Sequence, residues 1–476
     1  MPHSLRARKF ILPLLLAALF SFTGLSRAQD STPPLPPPVT RALAAARIPE
    51  SAVSIVVQAV DQRTPRMSHN AQLSMNPASV MKLVTTYAAL GLLGPSASWQ
   101  TGFWSVFDVD ETGRLPGNLY LKGSGDPNLS LERFWMLLRQ LRARGVRHID
   151  GDLLLDRSRF TLPPHDPGAF DRRPLRAYNV GPDALLVDAN AMRFILRPEG
   201  EEVRFFRITP HDNLEVDARI TLGKGGCNGW RERLNFALQG NRLEISGSYP
   251  ASCDEQNLLL SPLTPEAHVR GIFRALWREM GGTLRGKVRT GKAPIEARQL
   301  AAQYSPPVSE IVRNVNKWSN NVMSRQLLLA LAGEEGTLES AVQRTQDWLR
   351  AQRLDFPEMV LENGSGLSRQ ERINAQSLNR LLIHAWQSPV MPEFIASLPI
   401  SAVDGTLQKR LRNTPAAGRA HIKTGSLNGV KAASGYVQDL QGKRYAVTFL
   451  INHPNAAQGE KAIDALLLWV VESGAR

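Results

Sequence analysis

Hydrophobic positions along the chain fall into patterns of very different period. A continuous apolar run covers residues 10–22, behind a start bearing Arg6, Arg8 and Lys9 and ahead of small residues, Ser26 and Ala28, at the −3 and −1 positions of a cleavage site. These are the three parts of a secretory signal, so cleavage after Ala28 and export are expected. The run is shorter than the ~18–20 residues that span a bilayer, and no later stretch approaches that length, so membrane association should be peripheral at most. Residues 31–38 (STPPLPPP) then read as an extended spacer with no means of packing. Residues 52–60 (AVSIVVQAV) carry the Val/Ile content of a buried strand, and residues 77–93 the spacing of a helix. Asn76 suits the N-cap of that helix and Pro77 its first position, where the missing N–H costs nothing.

The character changes between about residues 98 and 300. Strand-like segments at 117–122 and 151–155 flank an amphipathic helix at 130–144, and residues 178–260 form a run of short alternating segments broken by turns. Helix returns at 265–280, closed by Gly281 and Gly282. The pattern predicts an inserted α/β domain, residues 98–172 and 262–300, with a β-rich domain, 173–261, nested inside it. Long helical patterns follow at 308–331 and 338–354, then strands near 420–424, 430–438 and 444–451 and an amphipathic helix at 457–472. An outer domain of residues 39–97 and 301–476 is expected behind residues 29–38, giving a multidomain α/β fold. No solenoid repeat is present.

Composition agrees with a folded, divided chain: 476 residues, 43% hydrophobic and 21% charged, exceed what one core of ~250–300 residues accommodates. Lys and Arg number 57 against 43 Asp and Glu, and loss of the four basic residues in 1–28 lowers the formal charge from +14 to +10. The basic residues are scattered and form no stripe interleaved with aromatics, which argues against nucleic acid and for a solvated surface facing anionic envelope polymers. Export places Cys227 and Cys253 in an oxidising compartment, where an even count favours a bridge closing a 26-residue loop.

The chemistry begins at Ser79-Val80-Met81-Lys82, an S-x-x-K at the start of the predicted helix. Positions i and i+3 share a helix face, so hydroxyl and amine can be neighbours, and the helix N-terminus offers N–H groups where an oxyanion would form. Alone the pattern is weak. Lys423-Thr424-Gly425-Ser426 is the one K-T-G in the chain and falls on a predicted strand, where Gly425 lets a ligand approach closely. An S-x-N that fits between them in order occurs at Ser319-Asn320-Asn321 and at Ser377-Leu378-Asn379; the context Val315-Asn316-Lys317-Trp318 and the Leu-rich helix after it favour Ser319.

S-x-x-K, S-x-N and K-T-G in that order mark penicillin-recognising serine enzymes. The intervals, 240 residues from Ser79 to Ser319 and 104 from Ser319 to Lys423, exceed those of an ordinary β-lactamase in the first gap. The sequence instead resembles the penicillin-binding protein 4 family of D-alanyl-D-alanine carboxypeptidase/endopeptidases, which carry two domains inserted between nucleophile and second motif. The likeness covers nearly all of residues 29–476 and includes Gly123-Ser124-Gly125-Asp126-Pro127, Asn363-Gly364-Ser365-Gly366-Leu367-Ser368-Arg369 and Val403-Asp404-Gly405-Thr406-Leu407. It departs at Asn363, where the family leads one to expect Asp.

The resemblance implies a sandwich of an antiparallel sheet with helices, a periplasmic location, and hydrolysis of peptidoglycan stem peptides through an acyl-enzyme, without metal or cofactor and with β-lactams as covalent inhibitors. Ser79 would attack the D-Ala-D-Ala carbonyl and Lys82, as a neutral amine, would take its proton. Ser319 would bridge Lys82 and the leaving nitrogen, and Asn321 would hold the substrate amide. Lys423 and Thr424 would bind the terminal carboxylate, with Gly425 giving access, while the N–H groups of Ser79 and Ser426 would form the oxyanion hole. Two rivals stay open: a β-lactamase, and a non-catalytic envelope protein that binds glycan strands. Two G-x-x-x-x-G-K matches, at 281–287 and 286–292, lack the Ser/Thr that holds magnesium. No H-E-x-x-H or G-x-S-x-G occurs.

Overall fold

The computed structural model describes residues 34–333 and 336–472. The expected signal and residues 29–33 lie outside the described residues. The framework that positions the site is a five-stranded antiparallel sheet in the order Ala420–Leu427, Val430–Gln438, Arg444–Asn452, Val53–Ala59, Met67–His69. Strands from the two ends of the chain therefore meet at its centre, where Val53 faces Ile451 and Ala59 faces Tyr445.

Side chains alternate across this sheet and both faces are covered. On one face Ile55, Val57, Ile422, Val447 and Phe449 pack against helices Pro37–Ala45 and Glu460–Glu472. On the other, Val56, Ala432 and Leu450 pack with residues of helices Lys82–Leu93, Val308–Lys317, Asn321–Ala330, Leu338–Ala351, Ala375–Trp386 and Met391–Ser397. Each fully buried Leu, Val or Phe stabilises this arrangement by about 1.5–3 kcal/mol. The Pro-rich leader does not end as an unpacked spacer. Leu35 is buried in the core of the first face and the helix begins at Pro37, because an apolar anchor and a proline in the first turn both suit that start.

Two expected helices are interrupted, both at residues singled out for chemistry. Residues 77–93 divide into a 3₁₀ turn, Ala78–Met81, and the α-helix Lys82–Leu93. Asn76 does not cap the helix; its Oδ1 accepts the N–H of Ala78 at 2.8 Å, closing a local turn in which Ala78 has φ 46°. The stretch 308–331 is also two helices, Val308–Lys317 and Asn321–Ala330. Ser319 lies between them at φ 55°, and Asn320 Oδ1 caps the second helix through the Met323 N–H at 3.0 Å. Helices Ala375–Trp386 and Met391–Ser397 lie where the hydrophobic pattern predicts no element.

The insert contains a five-stranded sheet in the order Val288–Thr290, Leu153–Asp156, Leu119–Lys122, Gln100–Ser105, Arg298–Tyr304. Helices Leu131–Ala143 and Pro265–Glu279 share its core through Phe134, Leu137, Phe273 and Trp277. Strand Arg298–Tyr304 pairs with Gln100–Ser105, so the boundary expected at residue 300 cuts through a strand that the sheet holds to Tyr304. The nested unit is a six-stranded sheet formed by segments between Met192 and Leu260. The insert also braces the outer unit. Arg325 and Gln326, on helix Asn321–Ala330, bond to backbone of the connecting segment: Arg325 Nη1 donates to the Val180 carbonyl at 2.7 Å and Gln326 Nε2 to that of Asp183.

Cys227 and Cys253 are joined, with Cα atoms 4.9 Å apart, beside the edge-on pair Trp230 and Tyr249. Closing a loop of this length removes unfolded-state entropy worth about 3.5 kcal/mol. Replacing both cysteines by Ala should lower the calorimetric unfolding transition of the six-stranded unit by an amount of that order. An unchanged transition would mean the loop is equally restricted without the bridge.

Candidate active site

The edge strand Ala420–Leu427 directs Ala420 and Ile422 into the core beneath helices Pro37–Ala45 and Glu460–Glu472, so Lys423 and Gly425 face the other way, toward the turn that carries Ser79. Contact there is close. A Cβ on Gly425 would lie 2.7 Å from the Pro77 carbonyl oxygen and 3.0 Å from the Ser79 nitrogen. Gly366, at φ 75°, meets the same turn from the other side, where a Cβ would overlap the Ala78 carbonyl. Neither position has room for a side chain.

Lys82 opens helix Lys82–Leu93, one 3₁₀ turn after Ser79, and in that geometry positions i and i+3 eclipse. Its Nζ lies 3.0 Å from Ser79 Oγ, 2.7 Å from Asn321 Oδ1 and in contact with the Ser365 carbonyl. Lys423 Nζ donates to Ser319 Oγ at 2.9 Å and to the Thr424 carbonyl at 2.7 Å. Thr424 Oγ1 pairs with Thr406 Oγ1 at 2.9 Å. Both lysines are wholly buried, whereas Ser79, Ser319, Asn321 and Thr424 are partly exposed and Ser426 is exposed.

Burial of the two amines is the dominant electrostatic fact. Loss of solvation, and then the neighbouring Lys423, hold Lys82 well below the usual lysine range; Glu371 opposes this and Arg325 reinforces it. Burial alone brings Lys423 down to about 7. As a neutral amine Lys82 can keep two N–H donors on Asn321 Oδ1 and the Ser365 carbonyl, with its lone pair turned to the Ser79 hydroxyl. That is the arrangement a general base for Ser79 requires.

Of the residues expected from sequence, Ser79, Lys82, Ser319, Asn321, Lys423, Thr424 and Gly425 converge here. Two contacts differ from expectation. Among the described residues Ser319 is held by Lys423 and not by Lys82, because the left-handed turn at 319 aims its hydroxyl at the edge strand. Asn321 commits its carbonyl oxygen to Lys82, which leaves its NH2 end for a substrate carbonyl. The alternative pair at Ser377 and Asn379 belongs to the scaffold: Ser377 is buried in a capped helix, and Asn379 Nδ2 donates to Gln58 Oε1 at 3.1 Å.

Other participants carry no sequence signal of their role. Lys317 is buried and ion-paired at 2.6 Å with Asp404, which ties the turn before Ser319 to the segment bearing Thr406. Asn363 Oδ1 accepts from the N–H and hydroxyl of Ser365, at 3.0 and 2.6 Å, shaping the loop whose carbonyl meets Lys82. Asp404, Thr406, Asn363 and Ser365 lie in the stretches 363–369 and 403–407, which the sequence offers only as a likeness without a role, and Lys317 stands in the context of Ser319.

Comparison with known proteins agrees with this geometry. Residues 38–472 match the model of the D-Ala-D-Ala carboxypeptidase 3 (S13) family. The chain is 31% identical over 415 residues to a D-alanyl-D-alanine carboxypeptidase of an Actinomadura species, covering 83% of this chain and 77% of that one. It is 24% identical to the D-alanyl-D-alanine carboxypeptidase DacB of Haemophilus influenzae, over 85% of this chain and 86% of the relative. The crystal structure of penicillin binding protein 4 from Haemophilus influenzae superposes with a TM-score of 0.75 at 24% identity, covering 90% of this chain and 99% of that one. With its sheet, its inserts and its buried lysine pair so placed, the chain belongs to the D-Ala-D-Ala carboxypeptidase 3 (S13) family.

Proposed function

We propose that the cleft hydrolyses the D-Ala-D-Ala bond of peptidoglycan stem peptides, and the equivalent bond in their cross-links, through an acyl-enzyme on Ser79. The observation that carries this reading is the convergence of one reactive hydroxyl with two buried amines from segments 341 positions apart in sequence, Lys82 and Lys423. Lys82 takes the Ser79 proton as Oγ attacks the carbonyl. The oxyanion forms beside the abutting Gly425 strand, where the N–H groups of Ser79 and Ser426 serve as donors, each worth about 3–4 kcal/mol. Ser319, held by Lys423, passes a proton to the leaving nitrogen, and water then releases the acyl group. Asn321 NH2 holds a substrate carbonyl, and Lys423 with Thr424 binds the terminal carboxylate. The strained dipeptide analogue in a β-lactam enters the same path.

The family membership and the D-alanyl-D-alanine carboxypeptidase relatives support this substrate class. Residues 1–28 support export to the periplasm, and no helix among the described residues is long and apolar enough to cross a membrane. The paired intervals of the motifs favour a peptidase over a β-lactamase. Incubation with monomeric and cross-linked muropeptides should release D-alanine and cleave cross-links, read by product mass. Rapid penicillin turnover without either product would establish the β-lactamase instead, and binding to sacculi with no product would establish the non-catalytic protein.

Ser79→Ala should abolish labelling by a fluorescent penicillin; labelling that persists would remove Ser79 from its role. Lys82→Arg should stay folded but lose acylation at least ~10²-fold, since guanidinium cannot act as a neutral base. Full activity in that variant would refute the base.

The two amines also set a pH profile. Burial lowers both, Lys82 well below the usual lysine range and Lys423 to about 7. kcat/KM for a carboxylate-ended peptide should rise as Lys82 deprotonates and fall as pH passes about 7 and Lys423 loses its charge. An amidated peptide should lack the falling limb; an identical limb for both would exclude Lys423 as the carboxylate partner.

A further inference from the structure

One buried carboxylate is used by none of these roles. Glu371 is fully enclosed, and its Oε1 accepts three successive backbone N–H groups, from Glu362 at 3.2 Å, Asn363 at 3.0 Å and Gly364 at 3.0 Å. Its Oε2 has no hydrogen-bond partner among the described residues. A fully enclosed carboxyl with one oxygen unpartnered is costly, and packing alone gives no reason to keep one.

The loop gathered by Glu371 serves the reacting groups directly. The Gly364 carbonyl accepts from Thr85 Oγ1 and Ser324 Oγ, both at 2.7 Å, side chains of the helices that carry Lys82 and Asn321. The next carbonyl, Ser365, accepts from Lys82 Nζ. Glu371 thus acts on Lys82 by a continuous chain of bonds as well as through its charge. The cations that bear on it are Lys82 and Arg325, while Lys423 acts in turn on Lys82 and the acid Glu362 on Arg325. Burial raises the Glu371 carboxyl, while the three amides and Lys82 pull it back toward the ionised form. Asn363, a neutral side chain, stands on this same loop.

We infer that Glu371 is a positioning residue for the Ser79–Lys82 couple: it grips residues 362–364 so that the Ser365 carbonyl meets the Lys82 amine, and it places one enclosed negative charge beside the enclosed cations Lys82 and Arg325, fixing the pH at which Lys82 can accept the Ser79 proton. This rests on the assignment of Ser79 and Lys82 above. Removing the charge lowers the affinity of Lys82 for its proton, so the amine becomes neutral at lower pH.

The test is the second-order rate constant for acylation by a penicillin, followed from pH ~5 to ~10 around the lysine range. Glu371→Gln keeps an oxygen for the three amides and removes the charge; the midpoint of its rising acid limb should fall by about one pH unit. Adding Asn363→Asp to that variant should bring the midpoint back toward the parent value. Asn363→Asp alone should raise it above the parent value, an arm that stands even where Glu371→Gln does not fold. A slower plateau with an unmoved midpoint would reveal a purely structural carboxyl and overturn the inference. An unmoved midpoint in the Asn363→Asp protein would do the same. If Ser79→Ala is acylated like the parent, the reading of the couple itself falls and this inference with it, whereas unmoved midpoints with acylation confined to Ser79 overturn Glu371 alone.

Discussion

Two lysine amines are held out of water in a single cleft, and the rest of the structure can be read as the means of holding them there. An enclosed ammonium without a counter-ion costs several kcal/mol, and a second one nearby adds repulsion. Lys317 shows how the fold treats a lysine kept for structure: Asp404 meets it at 2.6 Å and cancels its charge. Lys82 and Lys423 receive hydroxyls, carbonyls and one amide oxygen instead. Such partners satisfy donors without fixing charge, so burial can draw both amines toward the neutral form. Glu371 is the buried acid that bears on Lys82.

Holding the groups so close requires backbone that is unusual in two places. Ala78 and Ser319 both carry positive φ, a conformation that costs a residue with a Cβ of order 1–3 kcal/mol. Ser319 breaks what would otherwise be a continuous helix and turns its hydroxyl toward Lys423, while Ala78 opens the 3₁₀ turn that brings Ser79 to Lys82. Gly366 and Gly425 then close on the Ser79 turn from either side with no side chain between. The sheet and its helical layers supply the rigidity that over-determines these strained residues.

Much of the frame and the reacting groups were legible from sequence because their signals are local or ordinal. Val53–Ala59 announces itself by β-branched residues, and the order of Ser79, Ser319 and Lys423 selects one S-x-N from several. The interruptions were not legible. Helical periodicity carries through Trp318-Ser319-Asn320 and through Pro77-Ala78, and only contacts distant in sequence make a left-handed residue preferable there. Leu35 was misread for the same reason, since its packing depends on helix Glu460–Glu472 at the other end of the chain. Glu371 gave no signal, and Thr406 only a likeness without a role, because their significance lies in three backbone amides and in one hydroxyl across a gap. The strand that crosses residue 300 was divided because pairing with Gln100–Ser105 is invisible to composition.

The sheet order has a consequence for how the protein comes into being. Its first long strand, Val53–Ala59, finds its central neighbour only in Arg444–Asn452, and the wall opposite Ser79 arrives with Ala420–Leu427. The hydroxyl is therefore synthesised hundreds of residues before the surroundings that would activate it. The inserted units, whose strands pair within residues 100–304, can form while the reactive half still waits. A nascent or truncated polypeptide thus carries its nucleophile disarmed, and hydrolytic power against the wall that encloses the cell is withheld until nearly the whole chain is present.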